Sequence, residues 1–384
     1  MGSFSLGGLV ASWYAASVLA IATCKHVLLV AHCPASLCAV QLACAAAGVR
    51  LTSRWQLSSK RHSAFAGSIA PLAKPEFNIV FAIAASYSLG FLLTNAAIAF
   101  AAPSFVETIK SGEPLSTVAL AAVFIGERER WLTLACLMPI VLGVCMASGF
   151  GGSDHFSPLG CVLALASNVS FSSRAVLSKA LRRAHPEAAA SRSDAVLFYH
   201  VSRLGLYVAV PAALLLDAKW LIAALLSSGG DVVSGSEGGP TGSMGSSSNG
   251  SSSGGGSSGG GSIDGGGDTR RLLVLLLCNG AMHATYNGVS FSVLHRVSVA
   301  THSVLNIVRR VALIGVTAIL FGTPISAYNA AGVALCVLGC VGFAQSKQGR
   351  VVPAATNGGS GAAGGGSSGG EQELSLPLWR PQSD

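Results

Sequence analysis

The chain has 384 residues, of which 51% are hydrophobic and only 10% charged, with a formal net charge of +8. A water-facing surface usually needs about 25% charge, so most of this chain must face lipid or other helices. The excess of basic residues does not indicate nucleic acid, because the Lys and Arg are scattered singly between apolar runs and aromatics make up only 7%.

A helix needs about 20 mostly apolar residues to cross a bilayer. In chain order, qualifying runs fall at 6–30, 34–51, 77–100, 104–125, 131–150, 157–181, 195–217, 271–294, 300–321 and 326–346. The second is short and contains the polar Gln41. Before the first run stand only Met1 to Ser5, with no basic segment, and the run is too long for a cleavable signal core. Residues 228–269 are Gly/Ser-rich, as is Asn357 to Gly370, and such composition cannot bury a core, so the loop and the C-terminal tail 347–384 are expected to be disordered. The ten cysteines form no Cys-x-x-Cys pair and lie mostly inside apolar runs, so they read as packing residues, with neither metal nor cofactor implied.

The loops set the orientation. Alternate loops and the C-terminal tail carry fourteen Lys/Arg: Arg50, Arg54, Lys60, Arg61, Lys74, Arg128, Arg130, Arg182, Arg183, Arg192, Arg296, Lys347, Arg350 and Arg380. The other loops carry Lys219, Arg270 and Arg271. This alternation predicts ten spans with both termini cytosolic. The fold expected is an all-α multi-pass membrane protein of about ten transmembrane helices arranged as two inverted five-helix repeats, 1–150 and 157–346, the second interrupted by the 228–269 loop.

Seven basic residues remain inside the runs: Lys25, Lys110, Arg174, Lys179, Arg203, Arg309 and Arg310. Lys25, Lys179 and Arg203 lie near span ends, where a long side chain can snorkel to the headgroups. Lys110, Arg309 and Arg310 do not. A charge at mid-bilayer costs at least ~2.5–3.5 kcal/mol, so it normally faces a cavity. Adjacent arginines point about 100° apart on a helix and cannot both comfortably face lipid. The bland alternative is an internal salt bridge to Glu107 or Glu113, the only nearby acids, which would still leave a buried cation unpaired. The pattern therefore predicts a positively charged cavity near the midplane, suited to a small anion. The spans lack paired acids, a Ser/His dyad at helical spacing or a metal cluster, which argues against an intramembrane enzyme. His283 and His302 read as packing or hydrogen-bonded residues.

Four stretches carry a family resemblance: GFLLTNAAIAFAAPSFVETIKSGEP (90–114), PIVLGVCMASGF (139–150), SNVSFSSRAVLSK (167–179) and YNGVSFSVLHRVSVATHSVLNIVRRVALIGVTAILFGTPIS (286–326). They resemble the triose-phosphate/phosphate translocator family within the drug/metabolite transporter superfamily. The resemblance implies that Lys110, Arg309, Arg310 and the hydroxyl of Thr94 hold a phosphate, while Tyr286 and Arg174 contact the rest of the substrate. It departs at Arg309, where plastid members usually carry lysine, and at Phe91 and Glu107, where chloroplast members commonly carry histidine. The implied function is a membrane antiporter exchanging a sugar phosphate or phosphorylated three-carbon acid for inorganic phosphate. The alternative is a nucleotide-sugar transporter of the same fold exchanging for a nucleoside monophosphate. Without a transit peptide, a Golgi or other endomembrane location is expected over the plastid envelope. Partners are the lipid bilayer and the anionic substrate. A homodimer is left open by the small-residue spacing of Gly332, Gly339 and Gly342, which packing within one chain also explains.

Overall fold

All ten apolar runs are helical in the computed structural model, which describes residues 5–58, 74–127, 129–147, 157–186, 194–219, 265–294, 296–297, 299–323 and 326–348, with Leu72 and Ile222. The helices are α1 (Leu6–Ala31), α2 (Pro34–Ser58), α3 (Lys74–Phe100), α4 (Pro103–Lys110), α5 (Glu113–Ile125), α6 (Trp131–Ala135), α7 (Leu137–Ala147), α8 (Pro158–Ala184), α9 (Asp194–Leu216), α10 (Gly265–Leu294), α11 (Val299–Leu320) and α12 (Ala327–Gln348). No strand occurs among the described residues. In lipid no water can satisfy exposed amides, so a spanning segment closes its hydrogen bonds within itself. Seven of the described helices are long and apolar enough to cross a membrane. The protein is an all-α multi-pass membrane protein.

Two runs expected to be continuous are broken. The run 104–125 divides into α4 and α5 at Ser111 and Gly112, and α5 restarts with Pro114 in its first turn. Proline has no amide hydrogen to give, which is harmless at a helix start and disruptive further in. The run 131–150 divides into α6 and α7 at Cys136. There Pro139 withholds the amide that would have bonded the carbonyl four residues earlier. A third difference lies at the Gly/Ser-rich loop, whose last residues are helical because α10 begins at Gly265. Once a helix exists, each added residue gains a hydrogen bond, so the ladder runs past the apolar segment. The rest of that loop, and the tail from 349, lie outside the described residues.

The helices pair symmetrically. Contacts join α3 to α8, α1 to α10, α2 to α9, α7 to α12 and α4 to α11. Further contacts join α2 to α10, α3 to α9, α5 to α8 and α1 to α11. Exchanging every run with the one five later maps this set onto itself. One apolar core gathers Val27, Leu28, Leu37, Ile98, Val106, Ile109 and Leu276, where α1, α2, α3, α4 and α10 converge. The outer surface exposes Val123, Trp131, Leu215 and Ile319, as lipid contact requires.

Candidate substrate-binding site

Between α1, α3, α4, α8, α10 and α11 lies a cavity of about 330 Å³, and Thr94, Lys110, Arg174, Tyr286, Arg309 and Arg310 all line it. The six residues singled out in the sequence therefore converge on one place, from five helices. The break after α4 makes this geometry available, since irregular backbone at membrane depth is tolerated only where protein or a cavity surrounds it. The loosened groups find partners: Asn168 Nδ2 on α8 donates to the Ile109 carbonyl at 2.9 Å, and Ser172 Oγ donates to that of Glu113 at 3.3 Å.

Lys110 is buried, and its Nζ donates to Thr94 Oγ1 at 3.1 Å. Thr94 Oγ1 also donates to the Gly90 carbonyl at 2.8 Å and lies 2.7 Å from Ser167 Oγ. Gly90 is needed there, because a Cβ would approach Phe171 to 2.9 Å. Phe171 in turn sits 4.9 Å beneath the Lys110 ammonium, a cation–π arrangement.

Arg310 is tied to carboxylates: Nη2 bonds Glu113 Oε2 at 2.7 Å, and Nη1 lies 3.7 Å from Glu107 Oε2. The ion pair weighed as the bland alternative is thus present, and it accounts for one cation only. Arg309 donates from Nε to Asn306 Oδ1 at 3.0 Å and lies over the rings of Trp13 and Tyr286, at 5.5 and 6.0 Å. Arg174 lies over Tyr87 and Phe171, at 5.4 and 5.7 Å. Among the described residues, Lys110, Arg174 and Arg309 have no carboxylate at ion-pair distance.

Phe91 completes an aromatic wall with Tyr87, Phe171 and His283, at centroid separations of 4.8, 5.1 and 4.6 Å. His302 stacks on Trp13 and meets Ser290 Oγ at 3.2 Å, so both histidines pack as expected while lining the cavity. Sequence reasoning missed one lining feature. Gln41 bonds Asn279 at 2.8 Å and accepts from Asn95 at 3.1 Å, while Asn279 donates to the Ala20 carbonyl at 2.7 Å, so one amide network ties α1, α2, α3 and α10. Three amides inside apolar runs were the available signal.

Two of the cations assigned to snorkelling are otherwise engaged. Lys25 Nζ donates to the carbonyls of Ile98 and Ala101, at 2.8 and 3.1 Å, because those groups at the end of α3 have no helical partner. Lys179 pairs with Glu127, which Arg183 also bonds. Arg203 packs at 6.0 Å over Tyr199.

A model of the Triose-phosphate Transporter family matches residues 4–236 and 258–344. The chain is 29% identical to phosphoenolpyruvate/phosphate translocator 2, chloroplastic, of Arabidopsis thaliana, over 91% of this chain and 78% of that protein. It is 32% identical to phosphoenolpyruvate/phosphate translocator 3, chloroplastic, of Oryza sativa subsp. japonica, over 89% and 75%. A triose phosphate/phosphate translocator of non-green plastids from Brassica oleracea var. botrytis is 30% identical over 91% and 74%. Matched along nearly its whole length by the family model and similar to these proteins over most of its own length, the chain belongs to the Triose-phosphate Transporter family.

Proposed function

We propose that the protein is an antiporter that exchanges a phosphorylated small metabolite, a sugar phosphate or a phosphorylated three-carbon acid, for inorganic phosphate. The observation that carries this is charge. The cavity is lined by four cations, Lys110, Arg174, Arg309 and Arg310, against two carboxylates, Glu107 and Glu113, leaving a surplus of two. A phosphate monoester carries about 1.5 to 2 negative charges at neutral pH and three acceptor oxygens, which matches that surplus. In this reading Lys110, Thr94, Arg309 and Arg310 hold the phosphate, and Arg174 and Tyr286 hold the organic end. The names of the relatives, all phosphate translocators, support it.

Exchange follows from desolvation. Closing a dry cavity around unpaired cations costs several kcal/mol per ion, so the loaded carrier passes far more readily than the empty one. The symmetric helix pairing supports two repeats, 1–150 and 157–346. A duplicated five-span unit has its halves in opposite orientation, and rocking of one against the other gives alternating access. We place the chain with both termini cytosolic. The named relatives are chloroplastic, which does not favour the Golgi location expected above.

A nucleotide-sugar transporter fits less well. The cavity is at the small end of the ~300–1,000 Å³ range of ligand sites. Purified protein in liposomes should take up labelled phosphate only slowly unless phosphate or an organic phosphate is inside. If nucleotide sugars displaced the label at micromolar levels while phosphate did nothing, the alternative would replace this reading.

A further inference from the structure

One turn before Lys110, α4 carries a second ionisable side chain into the cavity. Glu107 is 5% exposed and lines the same space, with Oε2 3.7 Å from Arg310 Nη1. Glu113 at the start of α5 already holds Arg310 through the 2.7 Å bond, and it is the better placed of the two. Among the described residues the Glu107 carboxylate makes no hydrogen bond at all. Its oxygens open to the cavity at ion-pair distance from an arginine that Glu113 already holds, so holding Arg310 in place does not by itself account for this residue. Its position does something else: it changes the charge of the empty cavity. With Glu107 the surplus is two positive charges; with a neutral side chain there it would be three.

We propose that Glu107 is a resident counter-anion that competes with the substrate phosphate at Arg310 and loosens the coupling of exchange. The inference rests on the antiport reading above. Two consequences follow from one charge. In the empty carrier Glu107 offsets part of the cation surplus, so the unloaded cavity closes more easily and the carrier can return without cargo. In the loaded carrier the same carboxylate faces the phosphate across Arg310, so it weakens binding and hastens release. Glu107 is a positioning residue in this scheme. It touches the arginine and acts on the anion through it.

The test uses full-length protein in liposomes with labelled inorganic phosphate, comparing vesicles loaded with phosphate and vesicles without it. The wild type should show measurable uptake into phosphate-free vesicles, faster than that of Glu107→Gln by a factor on the order of ten, since offsetting one buried charge repulsion of ~1.4 kcal/mol is a tenfold effect. Glu107→Gln should lower the KM for phosphate on the order of tenfold and raise the ratio of exchange to empty-vesicle uptake by a similar factor. Glu107→Asp should stay near the wild type in both. Unchanged KM and ratio in Glu107→Gln would overturn the proposal. So would strict dependence of the wild type on internal phosphate, a result that needs no variant to fold and leaves the antiport reading intact. Wild-type uptake wholly indifferent to internal phosphate would overturn the antiport reading itself, and this inference with it.

Discussion

Lys110 and Arg310 have the same sign and share one cavity, yet they stand in different electrostatic positions. Lys110 is buried, with the Thr94 hydroxyl as its hydrogen-bond partner and the Phe171 ring beneath it, whereas Arg310 is bonded to Glu113. Lys110→Ala should therefore cut phosphate exchange on the order of 10- to 100-fold while leaving thermal stability nearly intact, since hydrogen bonds to a charged group contribute ~1.5–3 kcal/mol each. Arg310→Ala should abolish exchange to a similar degree and also lower the melting temperature in detergent, because it strands Glu113 and Glu107 without their cation. Equal stability of the two variants would contradict the pairing. Arg309→Lys keeps the charge and loses the planar fork, so partial exchange is expected there. At this scale the charges were legible in the sequence because a cation in an apolar run needs a reason. Thr94 and Tyr286 were legible only through resemblance, since each alone is an ordinary packing residue, and the resemblance likewise gave Arg174, already counted as a cation inside a run, its role. That Arg310 is spent on Glu113 was not legible, because it depends on how α5 faces α11.

Helices α7 and α12 approach each other backbone to backbone. A Cβ on Gly143 would meet the Cys336 amide nitrogen, the Gly332 carbonyl at 2.5 Å and the Cys336 Cα at 2.7 Å, all backbone-borne atoms that cannot turn aside. Gly143→Ala should cost ~1–3 kcal/mol or more through overpacking, read as a lower melting temperature with an unchanged KM for phosphate. A second link joins the loop after α5 to the end of α8, where Glu127 holds Lys179 and Arg183. Partial burial by itself would raise the Glu127 carboxyl, but its bonds to Lys179 and Arg183 and their charges outweigh that and hold it below its ordinary value of 4.5. A lowered carboxylate stabilises the folded state fully above the unfolded value and loses that contribution as pH falls through the folded one. Thermal stability should thus decline on acidification below about 4.5 less steeply in Glu127→Gln than in the wild type. That each apolar run is helical was readable from apolar length. The breaks at Ser111–Gly112 and Cys136 were signalled by Pro114 and Pro139, but apolar length overrode the signal, since proline inside a run can also merely bend it.

For the whole molecule, topology and charge make separate claims. Loop positively charged residues predict that the segment 228–264 lies away from the cytosol, so protease added to intact vesicles with cytosolic face outward should leave it uncut, and Asn249 in its Asn-Gly-Ser sequon is open to glycosylation in a secretory compartment. Ready cleavage there would overturn the orientation. Uptake of phosphate should rise between about pH 5.5 and 7, as the dianion forms with a second pKa near 6. A flat profile would mean that the cavity does not select the dianion.

The sequence by itself determined the membrane class, the ten helical runs, the family and the three charges that need a cavity. These are properties of single segments, since the cost of moving a side chain from water to lipid is set where that residue stands. Tertiary structure decided which cations are free and which are spent. It made Arg310 a partner of Glu113, turned Lys25 to the carbonyls of α3, and placed Gln41, Asn95 and Asn279 in one amide network. Each of those outcomes depends on a distance between helices far apart in the chain, and no periodicity within one helix records it.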